Sequence, residues 1–135
     1  MILPGETELS APYWEGARRG ELRLQTCLDC GQQWHPPSPL CPQCRGAKIE
    51  WRPSHGRGVV YSFTWVEHAA HPAFAKRLPY PVVLITLDEG PRVIANLRGS
   101  PRDELRIGLR VHVGFEEIVP GVVLPHFEAH SDSAD

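Results

Sequence analysis

Cys27-Leu-Asp-Cys30 and Cys41-Pro-Gln-Cys44, ten residues apart, hold all 4 cysteines of this 135-residue chain. Two C-x2-C knuckles joined by a short loop present four thiolates to one ion, the tetrahedral arrangement zinc takes with sulfur at about 2.3 Å. Gly31 and Gly46 follow the knuckles, where a tight turn gains from a residue that tolerates positive φ. Pro42 stiffens the second knuckle. Iron in the same square of sulfurs is one alternative. A pair of disulfides is another, and it needs an oxidising compartment of which the sequence carries no sign. Four thiolates close the shell and leave no position for a catalytic water. The expected site, Cys27, Cys30, Cys41 and Cys44, is therefore structural, with His35 read as an ordinary loop residue. Such an ion stabilises a segment of about 30 residues that cannot bury a core unaided.

Around the knuckles the composition is ordinary, 41% hydrophobic and 22% charged, so a folded chain of one modest or two very small domains is expected. Glycine (12) and proline (14) are frequent, which predicts many turns. The aliphatic run at 82–85 is far too short for a bilayer. No basic stretch precedes an apolar core at the start, and a cytoplasmic location is expected. The net charge of −2 is unevenly spread, at −2 over residues 1–22, +3 over 23–57, zero over 58–127 and −3 over 128–135. A four-thiolate zinc ion carries a formal −2, which reduces the ribbon to about +1. The basic field that phosphate backbones select for is missing.

Residues 10–20, SAPYWEGARRG, read as a short helix. Ser10 stands as N-cap, Pro12 in the first turn and Gly20 past the end. Residues 21–25, ELRLQ, alternate like a half-buried strand entering the first knuckle. From residue 56 the pattern changes to repeated strands: GVVYSFTWV (58–66), PVVLITL (81–87), RVIANL (92–97), RVHVGFEE (110–117) and 122–127. Asp88-Glu-Gly-Pro91 makes the turn of a hairpin. Five strands in about 70 residues suit a small barrel of the OB type better than a sandwich. The fold expected is mainly β: an N-terminal helical segment (1–22), a zinc ribbon (23–53), a five-stranded OB-fold barrel (54–127) and an acidic, disordered tail (128–135).

No nucleophile elbow, metalloprotease helix, P-loop or dinucleotide fingerprint is present. Every cysteine is committed to the metal, so no thiol is left to carry an acyl group. His68 and His71, beside Glu67, form the single cluster that invites acid–base chemistry, and a solvated loop explains them better.

Taken in order, PYWEGARRGEL, the four-cysteine ribbon, GRGVVYSFTWVEHAAHPAF, PVVLITLDEGPRVIANL and RIGLRVHVGFEE resemble a known family over roughly residues 12–127. It is the family of rubredoxin-like zinc-ribbon plus OB-fold proteins that accompany thiolases, long catalogued as a domain of unknown function. The resemblance implies a non-catalytic accessory subunit with a structural zinc ion. Its partner would be a thiolase-superfamily protein, either an acetyltransferase or a lipid-transfer-protein-like aldolase. The chain would help hold an acyl-CoA thioester or stabilise the complex, with the chemistry on the partner. In the steroid aldolase systems the domain can be fused to a hydratase-like domain, whereas this chain reads as free-standing.

Coenzyme A carries phosphates, for which Lys76, Arg77 and Arg45 are the candidate contacts. A rival reading is a single-stranded nucleic-acid binder, with Trp34, Trp51 and Trp65 stacking bases. A rubredoxin-like electron carrier is a third.

Overall fold

Pro12 in the first turn and Gly20 at φ 75° bound the helix α1, Ala11–Arg18, in a computed structural model that describes residues 7–67, 79–99 and 104–130. The Ser10 carbonyl accepts from the Tyr13 and Trp14 amides at 3.0 and 3.2 Å. Its hydroxyl does not cap the helix, because the Thr7 amide already donates to it at 3.0 Å. Gly16 and Ala17 are the buried residues of α1. Arg23 explains the glycine: its Cγ and Cδ lie 2.7 Å from where a Cβ on residue 16 would stand.

Three strands form the ribbon sheet in the order β2-β1-β3: β1 Arg23–Cys27, β2 Gln33–Trp34 and β3 Ile49–Pro53. The sequence suggested a half-buried β1, but Leu24, Gln25, Thr26 and Cys27 are all buried. The cause is position, since β1 is the central strand, paired on both edges. The two faces of β1 serve different cores, as a period of two allows. Leu22 and Leu24 join the barrel's apolar cluster, while Cys27 packs with Trp34 and Cys41 in a second, smaller one. Buried Gln25 keeps its amide satisfied through the proline-rich loop, donating to the Ser38 carbonyl at 2.9 Å and accepting from the Ser38 amide at 2.6 Å.

The remaining strands are β4 Arg57–Val66, β5 Tyr80–Leu87, β6 Arg92–Arg98, β7 Arg110–Val119 and β8 Val122–Ala129. They close a five-stranded barrel in the order β4-β5-β6-β8-β7. All pairings are antiparallel except β6 with β8, which run parallel at Leu97–Phe127 and Arg98–Glu128. This is the Greek-key closure of an OB fold. Val60, Val83, Ile85, Leu87, Val111 and Phe127 fill the interior. The last strand runs to Ala129, past the boundary at residue 127, because Glu128 and Ala129 still pair with His112 and Val111. Residues 131–135 of the acidic tail lie outside the described residues.

One residue of the β5–β6 turn ties the barrel to the ribbon. The Glu89 carboxylate accepts from the Ser54 hydroxyl at 2.9 Å and the His55 amide at 2.7 Å, both in the link between β3 and β4. Among the described residues, no helix is long and apolar enough to cross a membrane.

Candidate metal centre

The two knuckles repeat one backbone device. In the first, the Gly31 amide donates to the Cys27 carbonyl at 2.9 Å and the Cys27 amide to the Gln32 carbonyl at 2.8 Å. In the second, the Arg45 amide donates to the Cys41 carbonyl at 2.8 Å and the Cys41 amide to the Gly46 carbonyl at 2.9 Å. Sequence reading placed the positive φ at Gly31 and Gly46. The structure puts it at Gly31 (φ 80°) and at Arg45 (φ 64°). Gly46 is small for another reason, since a Cβ there would come within 2.8 Å of Asp29 Oδ2 and 3.3 Å of Cys44 Sγ.

These turns bring the four Sγ atoms within 4.8 Å of one another. Cys27 and Cys44 are 3.5 Å apart at sulfur, Cys30 and Cys41 3.6 Å. A tetrahedron with metal–sulfur bonds of about 2.3 Å has edges of about 3.8 Å, so the spacing fits one ion at the centre. None of the four is in a disulfide, and the pairing runs between knuckles. The Cys30 amide points at Cys27 Sγ (3.4 Å), and those of Gln43 and Cys44 at Cys41 Sγ (3.4 and 3.5 Å). Burial opposes ionisation of Cys41, yet the Cys44 and Gln43 amides and the neighbouring thiols bring it down to about 7. Amides aimed at sulfur favour the thiolate that a metal needs.

His35 takes no part. Its ring lies against Tyr13, with centroids 5.3 Å apart, and burial lowers its pKa. Of the CoA-phosphate candidates, Arg45 is exposed beside the second knuckle, while Lys76 and Arg77 lie outside the described residues, as do His68 and His71. Of the three tryptophans read as base-stacking candidates, Trp51 is half-buried on β3 and the other two are taken up by packing. Trp34 is buried against Cys27 and Cys41, and Trp65 packs on the barrel core.

Sequence reading missed a groove of about 700 Å³ on the outer face of β5 and β6, lined by Tyr80, Val82, Ile94, Asn96, Arg98 and Glu116. Arg98 is ion-paired with Glu116 across it. Ile94, 72% exposed, is its most accessible apolar side chain. The signal was present in β5, whose run Val82-Val-Leu-Ile85 is apolar on both faces where a half-solvated strand would alternate.

A family model described as the ChsH2 rubredoxin-like zinc ribbon domain matches residues 14–50, and one described as the ChsH2 C-terminal OB-fold domain matches 51–116. A DUF35 domain-containing scaffold protein of Methanothermobacter thermautotrophicus is 30% identical over 102 residues, covering 75% of this chain and 76% of that protein. The chain belongs to the DUF35 family. A second relative of this DUF35 chain is a probable enoyl-CoA hydratase alpha subunit of Thermomonospora curvata, 37% identical over 118 residues. That match takes in 87% of this chain and 36% of the relative, so the DUF35 chain spans about a third of that protein's length. Among solved structures, a chain of an Ltp2-ChsH2(DUF35) aldolase is 36% identical with a TM-score of 0.85, over 93% of this chain and 98% of that one.

Proposed function

We propose that this DUF35 chain is a non-catalytic accessory subunit that binds a thiolase-superfamily partner and helps hold an acyl-CoA thioester or stabilise the complex. The observation that carries the reading is the near-complete match to a chain of the Ltp2-ChsH2(DUF35) aldolase at 36% identity. The scaffold designation of the archaeal relative agrees with it.

The chemistry of the chain points the same way. Its 4 cysteines are all in the metal cluster, so it has no free thiol to act as a nucleophile. Zinc held by Cys27, Cys30, Cys41 and Cys44 would be structural, its shell closed. The β5–β6 groove suits an acyl chain or an apolar segment of the partner, because its cation, Arg98, is already neutralised by Glu116. Phosphate recognition falls instead to Arg45 and to Lys76 and Arg77.

Co-expression with a thiolase-superfamily candidate tests the reading. The expected result is one gel-filtration peak at the summed mass and a partner activity that drops when this chain is removed. Separate elution with no effect of either protein on the other would overturn it.

A further inference from the structure

Strand β6 has an open edge, and the ladder bonds around it show where. The Leu87 amide donates to the Pro91 carbonyl at 2.9 Å, and the Asp88 amide to the Arg57 carbonyl at 2.9 Å. Odd-numbered residues of β5 therefore turn their backbone groups toward β6, and even-numbered ones toward β4. In the β5–β6 register Ile85 meets Val93 and Val83 meets Ala95, so those pairs exchange the ladder hydrogen bonds. The N–H and C=O of Arg92 and Ile94 point the other way, toward the side of β8. Yet β6 pairs with β8 at Leu97–Phe127 and Arg98–Glu128, beyond the reach of both residues. No other backbone hydrogen bond meets Arg92 or Ile94 among the described residues.

Open edges are commonly blunted by proline, by charge or by a bulge. Residues 93–97, Val-Ile-Ala-Asn-Leu, contain no proline and no charge, and their register with β5 is unbroken. Ile94 stands in the middle of this edge, 72% exposed. The groove follows the same edge. Every residue from Ile94 to Arg98 lines it although their side chains alternate between faces, so it touches the strand's backbone as well as one face. A shallower groove of about 160 Å³ continues over β4 and β5 and shares Val82 and Ile94 with the first.

We propose that β6 receives an extended segment of the thiolase-superfamily partner, which adds a strand along residues 92–96 and seats an apolar side chain beside Ile94. The proposal rests on the accessory-subunit reading. Open N–H and C=O groups call for another backbone, which an acyl chain does not have. Charge narrows the occupant further. Arg92 lies over the Tyr61 ring at 3.7 Å and donates to the Thr86 hydroxyl at 3.4 Å, with no carboxylate on it among the described residues. Arg98, by contrast, is matched by Glu116. An Asp or Glu of the added strand beside Arg92 completes the pair. A second copy of this chain, paired antiparallel about Ile94, would set Arg92 against Asn96 and supply no carboxylate.

The test is amide hydrogen exchange of the zinc-loaded full chain, alone and with a co-expressed thiolase-superfamily candidate. In the free chain the Arg92 and Ile94 amides should exchange fast while Val93 and Ala95 are protected. In the complex Arg92 and Ile94 should slow at least tenfold. Ile94→Pro removes an outward N–H and no bond to β5, so it should keep one zinc per chain and weaken partner binding at least tenfold. Arg92→Glu, which leaves the backbone intact, should weaken binding at least threefold at low salt. Slow exchange of Arg92 and Ile94 in the free chain would overturn the proposal, as would a folded Ile94→Pro that binds like the parent. Protection of the same amides by self-association or by hexanoyl-CoA alone would assign the edge to another occupant and overturn it too. A parent complex that forms without slowing these amides removes the strand addition and leaves the accessory reading standing. Failure of the parent to form any complex removes both.

Discussion

Arg45 occupies in the second knuckle the place that Gly31 occupies in the first: each amide closes its turn onto the carbonyl of the knuckle's first cysteine, and each has positive φ, 64° and 80°. An L side chain in that region costs about 1–2 kcal/mol, and glycine gives back part of the gain through its unfolded-state freedom. Arg45→Gly should therefore raise stability by about 0.5–1 kcal/mol, visible as a higher melting temperature of the zinc-loaded chain. The same variant separates two roles for Arg45. If it contacts a CoA phosphate, affinity for CoA in the complex falls even as the melting temperature rises.

Removal of the metal should unfold the ribbon. Cys41→Ser and Cys27→Ser each take away a buried ligand, and each should reduce zinc from one per chain to substoichiometric levels with loss of ordered ribbon amides. Elemental analysis with amide hydrogen exchange checks this. Full zinc retention in either variant would contradict a four-thiolate site.

Tyr13 and His35 shape the pH limits of stability. Burial pushes the Tyr13 phenol up to about 12 and lowers the His35 imidazole. The tyrosine contribution is complete below its unfolded value near 10 and is lost as pH rises through about 12. The histidine contribution is present above the unfolded imidazole value of about 6.5 and is lost as pH falls through the lower folded one. Denaturant midpoints measured against pH should show a shallower alkaline limb in Tyr13→Phe and a shallower acid limb in His35→Phe. Limbs parallel to the parent's would refute the assignment.

Glu89 anchors the linker between ribbon and barrel through its bonds to Ser54 and His55. Glu89→Ala should cost about 1.5–3 kcal/mol, the range for hydrogen bonds to a charged group. Ser54→Ala, which leaves the His55 amide bond in place, should cost less. Urea denaturation of the two variants gives the order directly.

Two strand glycines should respond differently to alanine. A Cβ on Gly58 would sit 2.4 Å from the Thr86 carbonyl oxygen, which is backbone and cannot move without distorting the β4–β5 ladder. At Gly114 the obstacles are the far ends of His126 and Glu128, which can rotate away. Gly58→Ala should destabilise by about 1–3 kcal/mol, Gly114→Ala by clearly less. Equal melting temperatures would show that the β4–β5 ladder yields more easily than its geometry implies.

The parts of this molecule legible in its sequence are those with a local chemical signature. Four cysteines at knuckle spacing announce their cluster because the spacing itself makes the turn, and runs such as 58–66 and 81–87 announce strands through their β-branched and aromatic composition. Features created by pairing across the chain were not legible. Gln25 reads as a polar end to a half-exposed strand, and it is buried because β2 and β3 cover both edges of β1. The positive φ at Arg45 was hidden because glycine follows one residue later and drew the assignment to itself. The groove beside Ile94 and the open edge of β6 depend on which strands neighbour one another in the closed barrel, and spacing along the chain does not carry that information.

Strand β1 gives one face to the barrel interior through Leu24 and ends at Cys27, a member of the metal cluster. Five residues therefore join two events that usually proceed separately, capture of an ion and closure of a hydrophobic interior. Without the ion, the strand that carries Leu24 into the barrel's apolar cluster would lose the anchor at its end, so loss of metal should loosen packing beyond the ribbon itself. Metal capture would then set the packing of the barrel's edge as well as the shape of the ribbon.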